Sequence, residues 1–174
     1  SLKSIEEYVR LLKNKYNFIF LAPYGPSSKR LSKFGKVIRV LGLSKFDNSH
    51  LGYYRNLRWI LIIRELFFLI PTILVATYIK QKFKKLSIIH FNEITLIPTI
   101  YIFKKFFQIP FVLHCRILFK KNNYFGKQII KFISKSIDKV IVIDSDVKDS
   151  FPKSLRTEVI RNIFVKNNSL KLKK

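Results

Sequence analysis

Residues 87–116 constrain the fold of this chain more than any other stretch, because they read as a strand, a helix and a second strand. The apolar segments 87–91 and 111–115 are separated by enough residues for a helical crossover. Two strands joined by such a crossover are parallel, and the crossover is right-handed. The polar residues that follow the two strands therefore lie at the same carboxyl edge of one sheet, where open α/β sheets bind their ligands.

The rest of the chain continues this alternation of strands and helices. Apolar residues recur at helical spacing in two segments, 4–15 and 125–137. Short, largely apolar segments bounded by turn residues predict four further strands, at 17–22, 37–41, 140–143 and 159–160. Buried strands that alternate with amphipathic helices predict an α/β, Rossmann-like fold, in which helices cover both faces of a parallel sheet.

The size of the chain favours a single domain. Its 174 residues, of which 48% are hydrophobic, suffice for one core. We expect residues 1–164 to form this domain. Residues 165–174 are polar and basic and show no core pattern, so we expect them to be a frayed tail.

Residues 57–79 are so apolar that a membrane span competes with a packed helix. Arg64, Glu65 and Pro71 interrupt the segment, and the longest uncharged stretch, 66–79, has 14 residues. A helix that crosses a bilayer needs about 20. We therefore expect one or two helices, bent or broken near Pro71 and packed on the sheet, with contact to lipid as an additional role.

The charge balance narrows the class of partner. The chain has 34 Lys and Arg against 10 Asp and Glu, which gives a net charge of +24. Such a charge attracts polyanions and anionic membrane surfaces, although a lysine-rich composition on ordinary solvated surfaces is a simpler explanation. Nucleic acid is the less favoured partner, because the aromatic residues fall inside apolar runs such as 67–68 and 106–107, as core residues do.

Cysteine and glycine usage argues against a disulfide-bonded protein and against a dinucleotide-binding protein. The single Cys115 cannot form an internal disulfide, so we expect a cytoplasmic protein, with peripheral binding to the inner face of the membrane left open. The five glycines show no Gly-x-Gly spacing, so a dinucleotide-binding fingerprint is absent. No metal site is expected either, because Cys115, His50 and His90 do not have ligand spacing.

His114 is the leading candidate for a catalytic residue. A histidine at a strand end can donate or accept a hydrogen bond, or become cationic near neutral pH, although a lone histidine more often only closes a strand. Arg116 lies two residues further on and shares the face of His114 if the strand continues. Its guanidinium can bind a phosphate or carboxylate of a substrate, or form a surface ion pair.

Four polar residues that follow predicted strands are the other candidate substrate-binding residues: Asn92, Glu93, Asp144 and Ser145. The first two can bind sugar hydroxyls, and the glutamate can act as a general base. Their alternative role is to cap the helix that begins near Thr95. The last two fit the N-cap of a helix over 147–150, a role that is compatible with anion binding.

Four segments, in order, resemble motifs of the amino-terminal domain of family 4 glycosyltransferases. Ser-Ile-Ile-His-Phe-Asn at 87–92 resembles the family's DIVHVH strand, and Ile-Pro-Phe-Val-Leu-His-Cys-Arg at 109–116 resembles its xPVVxxVHG or HxR strand. Residues 138–145 and 158–162 resemble its ADRIIAVS and KVxVIPNG segments. The chain thus looks like the acceptor-side half of a GT-B architecture, in which two Rossmann-like domains face each other across a cleft.

The resemblance implies a function. Family members transfer a sugar from a nucleotide-sugar to an acceptor, here a cell-surface glycan or a lipid-linked acceptor of polysaccharide biosynthesis, with retention at the anomeric carbon. They need no essential metal and no cofactor beyond the donor substrate. His114 matches the family's functionally important histidine near the donor sugar, Asn92 and Glu93 match the loop that lines the cleft, and Ser145 matches a serine of the family.

The sequence also departs from the family pattern. The family's first strand and glycine-rich loop would precede the helix at Ser4, and its donor-binding carboxyl-terminal domain has no counterpart after Asn162. Cys115 and Ile163 stand where the family has glycine. We therefore expect a truncated relative that is inactive alone. A non-catalytic remnant and a basic module that binds nucleic acid or an anionic membrane are the alternative interpretations.

Overall fold

A computed structural model of the chain describes residues 2–46, 60–116 and 124–160. Within these segments six strands alternate with seven α-helices: α1 (Leu2–Leu12), β1 (Ile19–Pro23), α2 (Pro26–Leu31), β2 (Lys36–Val40), α3 (Ile60–Phe67), α4 (Leu69–Lys82), β3 (Ile89–Phe91), α5 (Ile97–Phe106), β4 (Phe111–Cys115), α6 (Tyr124–Ser136), β5 (Lys139–Val142), α7 (Ser145–Asp149) and β6 (Thr157–Val159). The predicted tail at 165–174 and His50 lie outside the described residues.

All strand pairs in the described part of the chain are parallel, as strands separated by helical crossovers require. Strands β3, β4, β5 and β6 lie side by side in this order, and β1 and β2 form a separate pair. The predicted α/β fold of parallel strands flanked by helices is confirmed. The strands belong to two sheets, however, where the sequence pattern predicts one.

The two faces of the four-stranded sheet differ in composition, because successive side chains of a strand point to opposite faces. The register places one set together on what we call the core face: Phe91, Phe111, Leu113, Cys115, Val140 and Val142. All six are buried, in one cluster with residues of α4, α5 and α6. The other set forms what we call the polar face: His90, Val112, His114, Lys139, Ile141 and Glu158. Helix α1 reaches this face through Tyr8, which packs against His90.

Helices α3 and α4 follow one another and are separated only by Phe68, three residues before Pro71. A proline lacks the N–H that would bond the carbonyl four residues earlier, and its ring clashes with that carbonyl. For Pro71 this carbonyl belongs to Phe67, where α3 ends. The prediction of one or two helices, bent or broken near Pro71, is confirmed, and the structure has two.

A buried set of hydrogen bonds fastens this helix pair to the segment that follows β2. The Ser44 N–H donates to Thr72 Oγ1 (2.9 Å), and Ser44 O accepts from Thr99 Oγ1 (2.6 Å). Glu65, itself buried, accepts from the N–H of Lys45 (3.0 Å) and pairs with Arg64 (2.6 Å). Because a buried polar group without a partner is costly, these bonds hold one side of α3 and α4 against the domain.

Candidate functional site

The carboxyl ends of β3 and β4 carry the same sequence pattern, a histidine followed by any residue and then a polar residue. His90 precedes Asn92 by two positions, and His114 precedes Arg116 by two. His90 and His114 lie on the polar face, because alternate residues of a strand share a face. Asn92 and Arg116 directly follow the two strands at the same edge of the sheet. This arrangement is the parallel edge that the strand-helix-strand pattern predicts.

The four side chains form two contacting pairs. The rings of His90 and His114 stack, with their centroids 6.0 Å apart and an angle of 16° between the planes. Arg116 Nη2 donates a hydrogen bond of 2.8 Å to Asn92 Oδ1. Tyr8 presents its ring edge to His90, with centroids 6.1 Å apart. Two residues that the sequence marks separately, Asn92 and Arg116, are thus joined across the sheet.

Burial sets the charge of this cluster. Desolvation of the ring, reinforced by the neighbouring His114, lowers the pKa of His90 to about 4, although part of the residue stays exposed. Burial also lowers the pKa of His114. Both imidazoles are therefore neutral near pH 7, and each can donate one hydrogen bond and accept another. Burial lowers the pKa of Arg116 as well, but a guanidinium remains cationic in proteins.

His114 has an unused hydrogen-bonding atom. Its Nε2 is buried and makes no hydrogen bond to any group in the described part of the chain. Buried polar atoms in native proteins normally have a partner, so an orphaned one marks a place where a ligand or water completes the arrangement. The atom lies in the half-buried side chain of the residue that the sequence analysis ranks first.

The other predicted ligands have local roles in the structure. Asp144 Oδ1 accepts a hydrogen bond of 2.8 Å from the N–H of Val147, so this carboxylate caps α7 as the capping interpretation predicts. Ser145 is the exposed first residue of α7. Glu93 lies at the start of the short 3₁₀ helix Ile94–Leu96, where its side chain makes no capping bond and accepts from Thr95 Oγ1 at 3.1 Å.

Sequence reasoning missed His90 and Tyr8. His90 has no metal-ligand spacing that would single it out in the sequence, yet the structure stacks it on His114. The repeated histidine-x-polar pattern in consecutive parallel strands is the signal that identifies it. Tyr8 has no such signal, because its position against His90 depends on how α1 packs on the sheet.

The cluster combines two neutral imidazoles with one cationic guanidinium, and both kinds of group can bind a ligand. The two imidazoles suit hydroxyl groups, which both donate and accept hydrogen bonds, and Arg116 suits a phosphate or carboxylate. Among the described residues, no group of three or more His, Cys, Asp or Glu side chains is placed to hold a metal ion.

Fold and site together define a class: α/β proteins with parallel strands and a polar cluster at the carboxyl edge of the sheet. Comparison of the chain with protein-family models, with curated proteins and with solved structures finds no match in any of the three. The resemblance to family 4 glycosyltransferases therefore stays a prediction that rests on the four sequence segments.

Proposed function

We propose that this chain is the acceptor-side domain of a retaining glycosyltransferase of family 4. The enzyme transfers a sugar from a nucleotide-sugar to a cell-surface glycan or a lipid-linked acceptor in the cytoplasm. A donor-binding domain outside these 174 residues completes the cleft, so this domain is inactive alone. The observation that carries the proposal is the cluster of His90, Asn92, His114 and Arg116 at the carboxyl edge of β3 and β4.

The cluster suits a phosphorylated sugar better than an uncharged or a purely anionic ligand. Neutral His114 offers a buried nitrogen without a partner to a sugar hydroxyl. Arg116, oriented by Asn92, offers a cation to the phosphate of an activated donor or of a lipid-linked acceptor. In this proposal His114 is the catalytic residue, because it matches the family's histidine near the donor sugar.

The remaining candidates have smaller roles in this proposal. Glu93 and Ser145 are exposed after β3 and β5, the two strands that flank β4, where they can contact the acceptor. Asp144 holds the start of α7 through its bond to Val147 and shapes the edge of the cleft.

A nucleic-acid-binding role fits the structure less well, despite the charge of +24. Base stacking on a protein needs exposed aromatic side chains. Phe91, Phe103, Phe107 and Phe111 are buried in the core cluster. The exposed aromatic residues of the described chain are spread over different elements instead of forming one stacking surface: Tyr8, Tyr16, Tyr24, Phe67, Tyr78, Tyr101 and Tyr124. A non-catalytic remnant would keep the fold and lose turnover, which the assay below detects.

The test is a transfer assay on the protein encoded by the reading frame that contains this segment. Purified protein is incubated with membrane lipid extract and a panel of labelled nucleotide-sugars. We expect transfer from one donor, and we expect His114→Ala to lower kcat about 100-fold or more, because a positioned histidine contributes about that factor.

The matched control is Gln108→Ala. Gln108 is exposed three residues before β4, at the opposite edge of the sheet from His114, so its replacement should leave kcat unchanged. Equal turnover of wild type and His114→Ala would remove His114 from the mechanism. A folded protein that transfers no sugar from any donor would support the remnant.

A further inference from the structure

Helices α3 and α4 carry the largest exposed apolar surface among the described residues. Nine large side chains of this pair are between 40% and 69% exposed: Ile60, Ile62, Ile63, Leu66, Phe67, Ile70, Ile73, Leu74 and Tyr78. At about half exposure they present roughly 700 Å² of apolar surface, more than the largest patch of a typical soluble monomer. We call this surface the apolar stripe. A patch of this size marks an interaction site.

The apolar stripe lies opposite the side of the helix that packs on the domain. Phe68, between α3 and α4, keeps a helical conformation and the helical hydrogen bonds to Arg64 and Thr72. At 3.6 residues per turn, the nine side chains of the pair therefore cover an arc of about 160°. The buried residues Glu65, Thr72, Val75, Ala76 and Ile79 fall on the opposite arc and contact the core or Ser44. The helix pair is thus apolar on two sides, of which one packs on the protein and the other faces solvent.

Cations flank the stripe. Arg64 and Lys82 lie along one border and Lys80 along the other, and all three are exposed. Lys84 and Lys85 follow immediately, also exposed. Residues 60–92 contain these five cations and a single acid, Glu65, which is buried and paired with Arg64. An apolar stripe bordered by Lys and Arg is the pattern of helices that lie in a membrane interface.

We infer that α3 and α4 dock flat on an anionic lipid bilayer, with the apolar stripe among the acyl chains and the flanking cations at the phosphates. The cations complement an anionic leaflet, to which each contributes attraction. A second copy of the chain is the poorer occupant, because two chains of charge +24 repel each other.

The structure favours flat docking over spanning. Residues Ile62–Lys82 form the only segment of the described chain that is long and apolar enough to cross a bilayer, by length and composition. In the fold, however, Thr72 and Ala76 are fully buried against the domain. A spanning orientation would separate them from the core and break the bonds of Ser44 and Glu65. Flat docking leaves these contacts intact.

The inference does not depend on sugar transfer, because binding to vesicles needs no donor or acceptor. The experiment measures co-sedimentation of the 174-residue chain with phosphatidylcholine vesicles, with and without about one third phosphatidylglycerol, at about 0.1 M salt. We expect binding to the anionic vesicles about tenfold or more above binding to the neutral ones, and a decrease as salt rises.

Variants separate the stripe from other exposed apolar residues. The double variant Ile70→Gln, Leu74→Gln should lose about tenfold or more in partitioning, because two side chains leave the acyl region. Leu11→Gln, Leu41→Gln is the matched control, since these residues are at least as exposed but lie outside the stripe. Equal loss in both variants, or no loss in either, would overturn the inference.

A third measurement tests orientation and the competing occupant. Spin labels on Leu66→Cys, Ile70→Cys and Leu74→Cys should report one common depth, about 5–10 Å below the phosphates. Buried Cys115 does not compete for the label. A depth that changes steadily along the helix would show a spanning helix and overturn flat docking. Self-association that disappears with Ile70→Gln, Leu74→Gln, without vesicle binding, would assign the stripe to a second copy and also overturn it.

Discussion

Strand β4 contributes Phe111, Leu113 and Cys115 to the core face of the sheet and Val112 and His114 to the polar face. The first three are buried among helices, whereas the other two are only half-buried. Side chains that alternate along one strand therefore form two sets. One set stabilises the fold, and the other can bind a ligand. Substitutions at adjacent residues of this strand should therefore have different effects, on folding stability at the core face and on binding at the polar face.

The largest expected effect comes from the core face. Phe111→Ala removes a fully buried ring and leaves a cavity next to Phe91, so we expect a loss of about 4 kcal/mol in the free energy of unfolding. His114→Ala, on the other face of the same strand, should cost less than about 1 kcal/mol. Urea denaturation measures both. Similar losses in the two variants would remove the distinction between the faces.

The second-largest expected effect is a loss of folding stability on acidification, which originates at the polar face. The pKa of His90 lies at about 4, below its ordinary 6.5, because of desolvation and the neighbouring His114. Between these two values the unfolded chain binds more protons than the folded one, so stability falls as pH drops through this window. Solvent at the exposed part of His90 screens the effect, and we expect a loss of about 1 kcal/mol between pH 7 and 5.

The control for this prediction keeps the ring and removes its charge. His90→Phe retains the aromatic contacts to Tyr8 and His114 but cannot be protonated. We expect its melting temperature to fall less than that of the wild type between pH 7 and 5. An equal fall in the two proteins would assign the acid sensitivity to other groups.

The smallest effect concerns the bond between Asn92 and Arg116, which tests whether the polar face is organised. A double-mutant cycle of Asn92→Ala with Arg116→Gln should give a coupling energy of about 0.5–1 kcal/mol, because one charge-assisted hydrogen bond at a half-buried site is lost. The cycle of Asn92→Ala with Lys153→Gln, an exposed residue after α7, should give none. Coupling near zero in the first cycle would mean that the pair does not hold together in solution.

The sequence predicts the elements with strong local patterns. Strand β4 matches its predicted bounds at 111–115, and α6 matches 125–137 to within one residue, because a buried strand and an amphipathic helix are encoded in their own side chains. Helix α2 was missed. Only Tyr24 and Gly25 separate β1 from α2, with Gly25 at a φ of 141°, and two prolines with a glycine between them are typical of a turn and not of a helix start.

Contacts between distant segments are less predictable. The division into two sheets depends on pairing between strands that are far apart in sequence, which no local pattern records. For the site, the parallel pairing of β3 and β4 brings the four residues to one edge of the sheet, but the register opposes His90 to Val112. The contacts of His90 with His114 and of Asn92 with Arg116 therefore depend also on side-chain orientation. The capping role of Asp144 was predictable, because a carboxylate three residues before a helical N–H is a local arrangement.

The sole thiol of the chain gives the site a built-in kinetic probe. Cys115 is fully buried in β4, between His114 and Arg116 in sequence. An alkylating reagent reaches it only when this strand opens, so the rate of modification reports the frequency of opening. Ligands that bind at the neighbouring side chains would slow the reaction, which makes a single sulfur atom a reporter of occupancy without any added label.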